Sequence, residues 1–72
     1  MNSIMVGDSV GWTSSIGWKN GIVKKIVLSK NANLELVPWI DIEYEIAHGA
    51  KNTCRICATE SNLKAMRVEL LN

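Results

Sequence analysis

The chain has 72 residues, a formal net charge of +1 at pH 7 and 47% hydrophobic residues. This length accommodates a single domain, which we predict over residues 1–72, and the apolar content argues against intrinsic disorder. The near-neutral charge argues against a dedicated nucleic-acid binder, because such domains usually carry a clear basic excess.

The start of the sequence predicts neither secretion nor membrane insertion. Residues 1–5 lack a basic region and a long apolar stretch, so we expect no signal peptide. No apolar run approaches the roughly 20 residues that cross a bilayer. We therefore expect a cytoplasmic protein with both cysteines reduced, and its origin can be bacterial or phage.

Alternating apolar residues predict a first strand near the N-terminus. It covers residues 9–13, with Val10 and Trp12 on one face. Residues 14–21 form a loop or hairpin tip, in which Asn20-Gly21 supplies the positive φ of a tight turn.

The second predicted strand, residues 22–28, does not alternate regularly. Val23 and Ile26 both face the core only if a β-bulge falls at Lys24-Lys25. After a polar turn, residues 34–38 form an extended arm or edge segment, which is apolar enough to need a cover.

The third predicted strand, residues 39–46, has the most regular alternation. One of its faces is apolar and the other acidic, which is typical of a half-buried antiparallel strand. The apolar set is Ile40, Ile42, Tyr44 and Ile46, and the acidic set is Asp41, Glu43 and Glu45.

The remaining sequence predicts a fourth strand, one helical or 3₁₀ turn and a short fifth strand. The fourth strand, residues 53–58, places Cys54, Ile56 and Ala58 inward, the turn covers residues 60–65, and Met66, Val68 and Leu70 alternate in the fifth strand. A C-terminal helix over residues 62–72 is the alternative, because these residues include good helix formers. The predicted fold is therefore all-β: a small five-stranded SH3-like (Tudor-like) barrel with one 3₁₀ turn before the last strand.

Four short motifs carry a resemblance to a known family. They are Val6-Gly7-Asp8-x-Val10-x-Trp12, Gly17 with Gly21-x-Val23, Tyr44-Glu45-Ile46 and Ser61-Asn62-Leu63-Lys64. This pattern resembles the small bacterial Tudor-type domains called hypervirulence-associated. The resemblance implies an SH3-like barrel and, through Tudor-type barrels in general, an aromatic cage for methylated lysine or arginine. It supplies no catalytic residue, and residues 34–39 and 54–57 have no counterpart in it.

The aromatic residues are candidates for a binding surface. Trp18 lies beside Gly17 and Asn20, where a core position is not expected, and Trp39 lies on the acidic face of the third strand. Rings of this kind bind cations and other ligands at their faces. The alternative is that all the aromatic residues fill the core or cover the ends of the barrel.

Basic residues in the N-terminal half suggest a second kind of surface. Lysines at positions 19, 24, 25 and 30 can form a basic strip for nucleic acid, with Trp18 available to stack on a base. The alternative is an ordinary solvated face, paired with the acidic strand. The four residues of this strip are Lys19, Lys24, Lys25 and Lys30.

His48, Cys54 and Cys57 are the candidates for a metal site. A structural zinc site generally requires two separated ligand pairs, and the second pair is missing. Residues three apart on a strand also point to opposite faces, so we expect structural cysteines and no cofactor. With one histidine and no recognisable nucleophile or phosphate-loop motif, we expect no enzyme.

These observations favour a non-catalytic interaction module. It binds a protein partner or self-associates, either through the surface of Trp18 and Trp39 or through an exposed strand edge. The first alternative is a nucleic-acid or ribosome-associated accessory protein that uses the lysine strip. The second is a small metal-stabilised domain.

Overall fold

Alternation of apolar and polar residues produces one antiparallel sheet in the computed structural model, which describes residues 4–72. Part of the N-terminal segment that argues against a signal peptide, residues 1–3, lies outside the described residues. The sheet has the strand order β4-β3-β2-β1-β5. The elements are β1 (Ser9–Ser14), β2 (Gly17–Lys30), β3 (Leu36–Ala47), β4 (Ala50–Cys57), α1 (Glu60–Ala65) and β5 (Glu69–Leu70).

This architecture confirms an all-β fold with five strands, but the predicted barrel is not closed. β4 and β5 are the two ends of the sheet order, and the described residues show no pairing between them. β5 is only two residues long and pairs with β1 through Val10 and Gly11. The sheet is therefore open, with β4 as one edge.

The long strand β2 links the two halves of the sheet. Its first part pairs with β1 as far as Ile22, and its second part pairs with β3 from Ile22 to Lys30. The register shifts between Val23 and Lys25, which confirms the predicted bulge. A bulge bends a strand, so β2 can serve both halves.

The core lies on one face of the bent sheet. All of its buried members are apolar, and α1 contributes one of them, Leu63. Trp12 packs edge-on against Tyr44, with ring centroids 5.7 Å apart. The buried set is Val10, Trp12, Val23, Ile40, Ile42, Ile56 and Leu63. The predicted inward positions of the first and fourth strands are thus confirmed, with Cys54 and Ala58 packed against this core.

The first hairpin turn lies earlier than predicted. β1 ends at Ser14 and β2 begins at Gly17, whose φ is +122°, so Asn20-Gly21 lies inside β2. Gly21 is required there for another reason, since a Cβ atom at this position would collide with the backbone carbonyl oxygen of Glu43. The prediction of a turn at Asn20-Gly21 is therefore wrong, because the glycine allows two strands to approach closely.

Two further expectations are corrected in β3. The strand begins at Leu36, so part of the predicted arm segment is regular strand, including Pro38. Proline has no N–H to donate, but its carbonyl oxygen accepts a hydrogen bond from Ala58 N–H, at 2.8 Å, directly after β4 ends at Cys57. Ile46 was expected in the core, but it is exposed, because the register of β3 and β4 shifts just before Ala47.

The segment after β4 follows the first of the two predictions, a helical turn and then a short strand. Residues 60–65 form an α-helix rather than a 3₁₀ turn, with hydrogen bonds from Leu63 N–H to the Thr59 carbonyl oxygen and from Met66 N–H to that of Asn62, both 2.9 Å. Because the helix ends there and β5 follows, a helix over 62–72 is wrong. Within residues 4–72, no helix has the length and apolarity that a membrane span requires.

Candidate functional site

The β2–β3 hairpin extends beyond the core, and we call its residues 26–38 the arm. The register places Ile26 opposite Ile40 and Leu28 opposite Pro38, so these residues lie on the same face of the sheet as the core. Leu36, two residues before Pro38, also lies on this face. Leu28 is 67% exposed and Leu36 64%. We call Ile26, Leu28, Leu36 and Pro38 the arm face; it continues the core surface into solvent.

The tip of the arm has a defined conformation. The Asn31 side-chain oxygen accepts hydrogen bonds from the backbone N–H groups of Asn33 and Glu35, at 2.9 and 3.0 Å. Leu34 has a φ of +61° and is 75% exposed. A left-handed conformation is unfavourable for leucine. The tip is thus held by hydrogen bonds, while the Leu34 side chain is directed into solvent.

The structure does not place Trp18 and Trp39 on one surface. Trp18 lies opposite Thr13 at the start of β2, whereas Trp39 lies opposite Val27 near its end. Nine residues of strand at ~3.3 Å each separate Trp18 from Val27, about 30 Å along β2. Trp39 is partly buried, and its Nε1 donates to the Ser29 carbonyl oxygen at 3.3 Å. The predicted aromatic surface is therefore two separate sites.

Trp18 belongs to a cleft where the two halves of the sheet diverge. The cleft has a volume of about 570 Å³, and its lining includes Trp18, Lys19, Tyr44 and Ile46. The Lys19 ammonium lies 4.5 Å from the centroid of the Tyr44 ring. Lys19 thus already occupies one face of this ring, in a cation–π contact of the kind that a ligand cation would make.

The four lysines of the predicted basic strip have different surroundings. Lys19 lies in the cleft, whereas Lys24 approaches Glu43 at 3.9 Å and Lys25 pairs with Asp41 across the sheet. Lys30 lies near the end of the arm, opposite Leu36. The lysines on β2 therefore follow one strand, but two of them face carboxylates.

The acidic face of β3 is paired with basic residues on β4. Arg55 donates to both carboxylate oxygens of Asp41, at 2.7 and 3.0 Å, and Lys51 lies 3.7 Å from Glu43. The hydrogen bonds from Arg55 lower the pKa of Asp41, and the same bonds raise the pKa of Arg55. A lowered pKa keeps this carboxyl ionised, which suits an ion pair rather than proton donation.

The three candidate metal ligands are not brought together. Cys54 pairs with Ile42 and Cys57 with Trp39, so the two cysteines lie on opposite faces of the sheet. His48 lies in the β3–β4 turn, with a φ of +50°. Among residues 4–72, no group of three or more His, Cys, Asp or Glu side chains is arranged to hold a metal ion.

Sequence reasoning identified residues 34–38 as an arm but missed the contribution of Leu28. The available signal was the predicted bulge, because alternation after it places Ile26 and Leu28 on one face. The sequence could not show that the second part of β2 extends past the core, where no other element among the described residues covers it.

No protein-family model, no curated protein and no solved structure matches this chain. The geometry of the described residues therefore has to support any assignment of function.

Proposed function

We propose that this chain is a non-catalytic interaction module that binds a protein through the arm. The observation that supports this proposal best is the arm face, where Leu28 and Leu36 are mainly exposed on an ordered hairpin. Single exposed apolar residues are common, but a contiguous group on one strand pair is typical of interaction surfaces.

Leu34 supports the same proposal independently. Its left-handed backbone costs about 1–2 kcal/mol relative to an ordinary conformation, and its exposed side chain recovers little of this cost by packing. Glycine or asparagine would fit the position better. A local cost without a folding benefit is expected where a side chain serves binding.

We also propose that the fold is an open relative of SH3-like and Tudor-like barrels, as the sequence resemblance implies. Two features support this relation: the bulged strand β2, which pairs with both β1 and β3, and the short helix α1 between β4 and β5. It differs from a closed barrel in that β4 and β5 do not pair within residues 4–72.

The partner can be another protein or a second copy of this chain. Nucleic acid, bound by the lysines of β2, is the alternative partner. Binding to a protein by apolar burial resists nuclease and depends weakly on salt. The affinity for nucleic acid falls steeply as the salt concentration rises, because it depends on phosphate contacts. These dependences separate the two classes of partner.

The test is capture of partners from native lysate by the immobilised chain, before and after nuclease treatment. The variant Leu28→Ala/Leu36→Ala removes the exposed arm leucines. The matched control is Ile16→Ala, because Ile16 is 82% exposed at the opposite hairpin tip. Sedimentation velocity of the purified chain, wild type and variant, detects self-association.

The proposal predicts a nuclease-resistant protein, or a self-associated species, that is lost in the arm variant and retained in the Ile16 control. Capture that depends on nucleic acid would move the assignment to the lysines. Equal capture by the arm variant and the wild type would contradict the proposal.

A further inference from the structure

The side of β2 that faces β1 is open along the arm. The last backbone hydrogen bonds on this side join Gly7 N–H to the Val23 carbonyl oxygen, at 2.8 Å, and Val23 N–H to that of Asp8, at 2.9 Å. From Lys25 to Lys30, none of the strands in residues 4–72 pairs with this side of β2. Such an edge can accept a further strand.

The charges along this edge have one sign. Lys25 and Lys30 lie at its two ends, and uncharged residues, mostly apolar, separate them. Lys25 lies opposite Asp41 on β3, whose two carboxylate oxygens already accept hydrogen bonds from Arg55. Among the described residues, neither Lys25 nor Lys30 forms an ion pair, so a strand added to β2 would lie beside lysine side chains without a bound carboxylate.

The same charges disfavour a second copy of this chain at the edge. This part of β2 carries Lys25 and Lys30, and β4, the long strand at one end of the sheet, carries Lys51 and Arg55. Pairing between two copies at these edges would therefore join two basic edges. Like charges across adjacent strands are destabilising, and edge lysines prevent pairing between identical sheets. Charge complementarity thus points to a different, acidic segment.

We infer that the partner contributes an extended acidic segment that adds to Lys25–Lys30 as an antiparallel strand, with carboxylates beside the two lysines and apolar residues between them. This inference rests on the proposed function and specifies the chemistry of the partner. The apolar residues of the segment lie beside Ile26, Val27 and Leu28. Its backbone forms hydrogen bonds with the N–H and C=O groups on the open side of β2.

The test uses synthetic peptides as probes. The first has the length of the Lys25–Lys30 edge, with glutamate at both ends and Ser-Leu-Val-Ile between them; the second has lysine at both ends. Fluorescence anisotropy at low salt measures their affinities. We expect the glutamate peptide to bind about two- to thirtyfold more tightly, since each cross-strand ion pair has a modest effect.

Two controls identify strand addition. Lys25→Glu/Lys30→Glu should reverse the preference between the peptides; Lys30→Glu alone serves if the double variant does not fold, because position 30 lies opposite Leu36 rather than a carboxylate. Two glutamate peptides are N-methylated on alternate amides. Only one should lose binding, because alternate N–H groups of a strand face its neighbour.

Hydrogen exchange of the bound chain gives the location. Added protection of amides within Lys25–Lys30, together with the charge reversal, supports the inference. Equal affinity for both peptides, equal loss by both methylated peptides, or absence of binding overturns it. The proposed function is tested separately by the arm leucines and native partners, so the acidic-segment inference can fail while leucine-dependent capture remains.

Discussion

Replacing Leu28 by alanine should affect binding more than folding. Complete burial of a leucine side chain contributes about 1.5–3 kcal/mol. Leu28 is 67% exposed, so about one third of this value, ~0.5–1 kcal/mol, stabilises the folded chain. A partner that covers the remainder gains about 1–2 kcal/mol, which corresponds to a five- to thirtyfold change in affinity.

Ile42 is the matched comparison for folding. It is fully buried in β3, on the same face of the sheet as Leu28, and Ile42→Ala should lower the free energy of unfolding by about 2–5 kcal/mol. Urea denaturation followed by tryptophan fluorescence measures this free energy. Titration of the captured partner measures affinity. The reasoning fails if Leu28→Ala destabilises the chain as much as Ile42→Ala does, or if it leaves the affinity unchanged.

Three further predictions concern the arm tip, the strand approach and acid stability. Leu34→Asn should keep or raise the free energy of unfolding, because asparagine tolerates a left-handed φ, while it weakens partner binding; denaturation and titration test both effects. Gly21→Ala should lower the free energy of unfolding by about 1–3 kcal/mol, because its Cβ meets the Glu43 carbonyl oxygen, and an unchanged urea midpoint would refute this clash. Arg55 lowers the folded pKa of Asp41 below its unfolded value near 3.8, so this carboxylate stabilises the chain above that pH and less as the pH falls through the folded pKa. Asp41→Asn should therefore have a lower urea midpoint than the wild type at neutral pH, and the two should converge in strong acid; a constant difference would contradict the ion pair.

Alternation and local chemistry predicted the all-β fold and the bulge, but not that the sheet stays open. Val10 and Trp12 on one face, the bulge at Lys24-Lys25 and the acidic face of β3 all follow from the period of two. The turn prediction at Asn20-Gly21 was wrong because Asn-Gly is typical of a tight turn, whereas here the glycine allows two strands to approach closely. The position of the first turn can therefore be found only from the register of β1 and β2.

The candidate site was only partly predictable. The apolar arm was visible in residues 34–38, but the exposure of Leu28 depends on how far β2 extends beyond the core. The separation of Trp18 from Trp39 likewise depends on the length of β2. The sequence pattern predicts a turn at Asn20-Gly21, inside this strand. Properties that depend on which strands lie side by side need the tertiary structure.

Photo-crosslinking from the arm tests the central claim most directly. A benzoylphenylalanine at position 28 or 36, introduced in the full chain and irradiated in native lysate, records what contacts the arm face. The same group at Ile16, which is also exposed, is the control. We predict one discrete protein adduct from positions 28 and 36 that is resistant to nuclease and absent from position 16. No adduct from the arm, or the same adducts from all three positions, would contradict an interaction surface on the arm.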